Sequence, residues 1–178
     1  AGVILVHERL AIVDPASGSQ PLRSRDESLA LAVNGEIYNH RELRAASGYD
    51  FTTGSDCEVI NALYRELGPE EFLARGLRQL NGIFAFALWD AATQRYLIAR
   101  DPIGVCPLYW GHDGDGRLWV ASEMKALARH CHDVAAFPPG HVYDSARGEL
   151  RGFHEGAWGD YDAVEGVEVS REALRAGF

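Results

Sequence analysis

No stretch of this chain is apolar for long enough to cross a bilayer. The longest strongly apolar run is Ile83-Phe84-Ala85-Phe86-Ala87-Leu88-Trp89, where a spanning helix needs about 20 residues. Blocks of Lys or Arg are absent too. The 17 basic residues stand against 26 acidic ones, for a net charge of -9, which argues against nucleic acid and anionic membrane as partners. Cysteine is scarce: Cys57, Cys106 and Cys131 are an odd number without regular spacing. They do not make a disulfide framework, and they fit a reducing cytoplasm. The opening Val3-Ile4-Leu5-Val6 has no basic flank and no cleavage site, so it does not read as a signal peptide. His130-Cys131-His132-Asp133 groups ligand-type residues, but adjacent side chains point different ways and no second pair stands at finger-like spacing. No metal site is expected there.

What is present suits one domain with a sizeable core: 178 residues, 47% hydrophobic and 24% charged. Val3–His7 reads as a strand running into an irregular segment that ends at Pro15. Ala16–Arg25 reads as a polar loop, and Leu29–Val33 as a second strand. Ser55-Asp56-Cys57-Glu58 spells a capping box. The helix it opens carries Val59, Ile60, Leu63, Tyr64 and Leu67 on one face and stops at Gly68-Pro69. A short helix over Glu70–Arg75 should follow. From Leu80 the period changes, and Ile83–Trp89, Arg95–Arg100, Pro107–Gly111 and Arg117–Ser122 read as strands joined by short turns. Short connections predict antiparallel neighbours, and the apolar Ile83–Trp89 predicts a strand covered on both faces. Ser122–Leu127 predicts one more helix, and Val142–Asp144 with Glu149–His154 a closing hairpin. The sum is an α+β fold of stacked antiparallel sheets with helices outside. Tyr161–Phe178 has the polar character of a linker, with a helix starting at Ser170.

The most informative stretch is Asn34-Gly35-Glu36-Ile37-Tyr38-Asn39. Asn-Gly is the strongest short signal for a hairpin turn. The return strand would be only Glu36-Ile37-Tyr38, however, because Asn39 and Glu42 spell a second capping box. The pattern therefore predicts strand, turn and a short helix over His40–Ala46. Asn34 offers a side-chain amide and Gly35 an unshielded backbone N–H, two donors able to hold a developing oxyanion at a strand end.

Four segments carry a family resemblance: His7–Asp14, Asn34–His40, Gly54–Glu58 and Ala99–Gly104. In this order they resemble the glutaminase domain of glutamine-hydrolysing asparagine synthetases of the B type, a class II glutamine amidotransferase. Ser122–Leu127 and Phe137-Pro138-Pro139-Gly140 extend the match. The resemblance implies a four-layer αββα sandwich of the N-terminal-nucleophile hydrolase type over residues 1–160, with 161–178 leading into an ATP-dependent synthetase domain. It implies that an N-terminal cysteine attacks the amide of L-glutamine, with its own α-amine (pKa about 7.7–8.0) as base. Asn34 and Gly35 would form the oxyanion hole. Arg9 would hold the α-carboxylate, Asp56 and Glu36 the α-ammonium, and Leu10, Ile12 and Val13 would shape the pocket. Each has a plainer alternative: Arg9 as a surface partner of Glu8 or Asp14, Asp56 as a helix-start charge, Glu36 as a solvated side chain.

The resemblance further implies a ligase of asparagine biosynthesis that is cytoplasmic and, when intact, a homodimer. Its second domain would use aspartate, ATP and Mg, and no cofactor is expected in the present domain. The family's nucleophilic cysteine is residue one, whereas this chain begins with Ala1. The expectation is a piece cut at both ends, incomplete at the N-terminus of the fold and inactive by itself. Two other readings stay open: another class II amidotransferase acting on a sugar phosphate, and a non-catalytic glutamine-binding domain. Arg100 and Asp101 read as shapers of the turn before Pro102, and Cys57 and Cys106 as buried hydrophobes rather than nucleophiles.

Overall fold

Antiparallel pairing around one apolar strand organises the chain. The structure, a computed structural model, describes residues 2–9, 13–154, 156, 165 and 170–176. In chain order the strands are β1 (Leu22–Arg23), β2 (Leu29–Ile37), β3 (Gly82–Asp90), β4 (Arg95–Arg100), β5 (Tyr109–His112), β6 (Leu118–Ala121), β7 (Ala135–Ala136), β8 (His141–Asp144) and β9 (Glu149–Gly152). The helices are α1 (His40–Ala46), α2 (Val59–Glu71), α3 (Met124–Leu127) and α4 (Arg171–Ala176). One sheet runs β1-β2-β3-β4-β8-β9 and the other β6-β5-β7. Every pairing between these strands is antiparallel.

β3 lies between two cores, which explains its nearly continuous apolar sequence. Successive side chains of a strand point to opposite faces. Phe84, Phe86 and Leu88 join Leu31, Val33 and Ile37 of β2 beneath Val59, Ile60, Leu63 and Tyr64 of α2. Full burial of each of these large side chains stabilises the fold by roughly 1.5–3 kcal/mol. On the other face Ala85, with Ile83 and Ala87, packs into a second core containing Cys106, Leu108, Phe137, Trp110 and Val120. Helices, large sheet, small sheet and α3 packed on β5 and β6 make four layers, an α+β sandwich as the sequence implied.

The apolar face expected of α2 is present, and α2 breaks at Gly68, whose φ of 74° and ψ of 165° are not helical. The chain then widens into a π-helical turn over Phe72–Gly76 and tightens into a 3-10 turn over Leu77–Gln79. Four expectations are corrected. Val3–His7 forms no strand; it finds no partner among the described residues, and Ile4 and Val6 are exposed. β2 does not turn at Asn34-Gly35 but continues to Ile37, because β3 pairs with it from Leu29↔Asp90 to Ile37↔Gly82. Neither capping box forms. Asn39 instead donates to the Gln79 carbonyl at 2.9 Å and accepts from the Asn81 N–H at 3.0 Å. Finally, the loop read over Ala16–Arg25 contains β1.

Candidate active site

The stretch Asn34–Ile37 is the end of β2 that runs past β1 while staying paired with β3. Asn34 and Glu36 lie opposite Ala85 and Ile83, on the face that turns toward the small sheet. No β2 residue belongs to the core between the sheets, so both side chains emerge exposed. Neither has a hydrogen-bond partner among the described residues.

The outer edge of β2 is built differently along its length. β1 pairs only with Ala30 and Leu31. Beyond it, side chains take the place of a strand. Gln20 Nε2 donates to the Val33 carbonyl at 2.7 Å, and the Val33 N–H donates to Gln20 Oε1 at 2.9 Å. The Ile37 N–H donates to Asp56 Oδ2 at 2.8 Å. Between them the Gly35 carbonyl accepts the Cys57 thiol at 3.6 Å. Backbone groups two residues apart face the same edge, so the Gly35 N–H points outward in this row. Phe84, opposite Gly35, turns its own N–H and carbonyl to Asp101. The Gly35 N–H thus has no partner among the described residues.

A side chain at residue 35 has no room. A β-carbon there would lie 2.1 Å from the Ile83 carbonyl oxygen, and the φ of 151° is one that favours glycine. Gly82 is the reciprocal case, its β-carbon position lying 2.2 Å from the Glu36 carbonyl oxygen.

Two loops close around this edge. Asp56 is 5% exposed; Oδ2 is committed to Ile37, and Oδ1 accepts no hydrogen bond among the described residues. Glu58, fully buried, fixes the approach to Asp56. It accepts the Thr52 and Thr53 N–H groups at 2.7 and 2.8 Å and both threonine hydroxyls. Asp14 joins the second loop to the first by accepting the Gly54 N–H at 2.7 Å and the Ser17 hydroxyl. The Ser17 hydroxyl and then the Gly54 N–H hold its carboxyl below the usual carboxylate range. Arg9 makes no ion pair with Glu8 or Asp14; its guanidinium donates to the carbonyls of Val13 (2.9 Å), Asp14 (2.6 Å) and Pro15 (3.3 Å). Val13 therefore enters through its backbone. Leu10 and Ile12 lie outside the described residues. The structure brings Asn34, Gly35, Glu36 and Asp56 to one end of β2, with Arg9 in the loop tied to Gly54.

A family model described as a glutamine amidotransferase domain matches residues 1–139. The chain belongs to the glutamine amidotransferase domain family. It is 52% identical over 174 residues to asparagine synthetase B (glutamine-hydrolysing) of Escherichia coli, covering 97% of this chain and 30% of that protein. It is also 52% identical over 155 residues to asparagine synthetase 3 (glutamine-hydrolysing) of Arabidopsis thaliana, covering 86% of this chain and 26% of that one. The chain thus spans about a third or less of the relatives it matches. Among solved structures it resembles glutamine phosphoribosylpyrophosphate amidotransferase from Bacillus subtilis, complexed with ADP and GMP. The TM-score is 0.65 and the identity 30%, over 77% of this chain and 32% of that one.

The thiols of this amidotransferase domain are held in the unreactive form. Burial, and then the charge of Asp56, push Cys57 far above the ordinary thiol range. Burial and Asp101 push Cys106 up to about 11, and burial raises Cys131. Since the thiolate is the nucleophile, none of the three is poised to attack at neutral pH. At pH 8 a thiol reagent should modify Cys57 and Cys106 at least about tenfold more slowly in the folded domain than in urea. Equal rates in both would contradict this burial.

Arg100 and Asp101 do shape the turn before Pro102. Asp101 accepts the N–H groups of Ile103, Gly104, Val105 and Cys106, at 2.6–3.1 Å. Arg100 donates to the carbonyls of Gly104, Cys106 and Phe137, each at 2.7 Å. The ligand-type residues at 130–133 diverge, with His130 stacked on Trp119 and Asp133 bonded to His112. Among the described residues no group of three or more such side chains could share a metal ion, and no helix is long and apolar enough to cross a membrane. Sequence reasoning passed over Gln20 and the buried role of Glu58. The capping-box spelling marked Glu58 as a residue that reaches back, but its partners lie farther back than a cap; nothing in the spelling marks Gln20.

Proposed function

We propose that this domain binds glutamine and supports hydrolysis of its side-chain amide, as part of a glutamine-hydrolysing asparagine synthetase. The observation that carries the reading is the unpartnered Gly35 N–H beside the free Asn34 amide. Together they form a donor pair at the edge of a rigid strand. When a nucleophile adds to the amide carbon, the carbonyl oxygen becomes an oxyanion that these donors stabilise. Collapse expels ammonia and leaves an acyl group that water hydrolyses to glutamate. The attacking group comes from outside the described residues. Asp56 Oδ1 and Glu36 suit the α-ammonium of glutamine, and the uncommitted N–H donors of Arg9 suit its α-carboxylate. The ammonia would then amidate aspartate, with ATP, in the longer protein to which the relatives correspond. The three free cysteines support a reducing, cytoplasmic setting.

Kinetics of the full-length gene product test this. Asp56→Asn keeps an oxygen for the Ile37 N–H but removes the charge. KM for glutamine should rise roughly 10- to 100-fold, as expected for a lost charged hydrogen bond, with kcat nearly unchanged and ammonia-supported synthesis intact. No release of glutamate by the unsubstituted protein would overturn the reading. Formation of a phosphoribosylamine instead of asparagine would transfer the domain to the other acceptor class.

A further inference from the structure

We propose that Gln20 is a positioning residue for the oxyanion donor at Gly35. The inference rests on the proposed role of the Gly35 N–H and adds how that group is aimed. A glycine has no side chain to fix its own orientation, so its N–H points wherever the flanking backbone directs it. β3 fixes one edge of β2, from Leu29 to Ile37. On the other edge β1 stops at Ala30 and Leu31, leaving the outward groups of Val33, Gly35 and Ile37 in a row about 7 Å apart.

Gln20 holds both outward groups of Val33, and Asp56 holds that of Ile37. A carboxamide can do this because it presents one acceptor and one donor side by side, as a neighbouring peptide edge does. Gln20 therefore acts as one rung of a strand, set one rung before Gly35. Asp56 is the rung after it. The two clamps fix the twist of β2 on both sides of the only outward N–H in this row that they leave free. Gln20 touches neither Asn34 nor Asp56 through any hydrogen bond. Its effect is predicted on transition-state stabilisation rather than on glutamine binding.

The test is steady-state glutamine hydrolysis by the full-length gene product carrying Gln20→Leu, which removes both clamp bonds, or Gln20→Glu, which has the same shape but no donor for the Val33 carbonyl. In each, kcat should fall about 10- to 100-fold, a part of the effect of deleting an oxyanion donor. KM should stay within about threefold, and synthesis from added ammonia should be unchanged. The thermal midpoint should remain near that of the unsubstituted protein. If Gln20→Leu does not fold, Gln20→Glu decides. A folded Gln20→Glu protein with unchanged kcat overturns the inference. Loss of stability and activity in parallel in every variant also overturns it, since Gln20 would then serve the fold alone. A distinct result, no hydrolysis by the unsubstituted protein, refutes the functional reading itself.

Discussion

Gly35→Ala in the full-length gene product should lose glutamine hydrolysis by at least about 10²–10³-fold, the effect of losing one oxyanion donor. The fold should lose stability at the same time. The added β-carbon would meet the Ile83 carbonyl oxygen at 2.1 Å and the Phe84 Cα at 2.7 Å, both backbone atoms that cannot rotate away. The strands must separate or the Gly35 N–H must swing. Overpacking costs about 1–3 kcal/mol, and a backbone conformation disfavoured for alanine adds about 1–3 kcal/mol. Gly116→Ala is the matched control, because its φ is also positive, 75°, with nothing within 4 Å of the new carbon. It should cost only the backbone share and leave hydrolysis unchanged. Urea midpoints and kcat for the two variants separate crowding from conformation. A Gly35→Ala protein as stable as the control would mean that β2 and β3 do not approach so closely.

The second large effect lies far from the site. Arg95→Met should destabilise the domain by about 3–5 kcal/mol, because it leaves the partner carboxylate buried and uncompensated. Arg95 Nε and Nη2 each reach an oxygen of Asp144 at 2.7 Å, with side chains 7% and 6% exposed. Glu70 adds a third contact at 3.0 Å, but its side chain is 62% exposed and contributes little. After the substitution Asp144 would keep the Ala146 N–H at 3.0 Å and Arg147 at 3.7 Å, too little for a buried charge. Adding Asp144→Leu should recover most of the loss, since an apolar pair of similar volume needs no desolvation of charge. A denaturant double-mutant cycle measures this. A single Arg95→Met protein with an unshifted midpoint would show that water reaches Asp144.

Elements with a strong internal period were legible in the sequence. The buried face of α2 follows directly from the spacing of Val59, Ile60, Leu63 and Tyr64. β4 falls at Arg95–Arg100 as expected, and β8 and β9 pair as the closing hairpin. Elements decided by distant partners were not legible. Asn34-Gly35 spells a local turn, but nine consecutive pairings with β3 outweigh a two-residue preference, and the turn signal instead marks a glycine required by close approach. Asn39 spells a cap, but its amide is taken by Gln79 and Asn81 some 40 residues away. At the site, the residue types at 34, 35, 36 and 56 could be picked out by resemblance. Gln20 could not, because a glutamine in a polar loop looks the same whether it is solvated or bonded to a strand.

The clamped edge of β2 has a consequence for solubility. An unpaired strand edge is a template on which another chain can add a strand, the first step toward aggregation. At Val33 both ladder positions are already filled by a carboxamide of the same chain, and at Ile37 a carboxylate occupies the donor. An approaching peptide would have to displace both and would meet a negative charge where it needs to place a carbonyl. The same two side chains that leave the Gly35 N–H between them unclaimed thus deny the edge to an extended backbone.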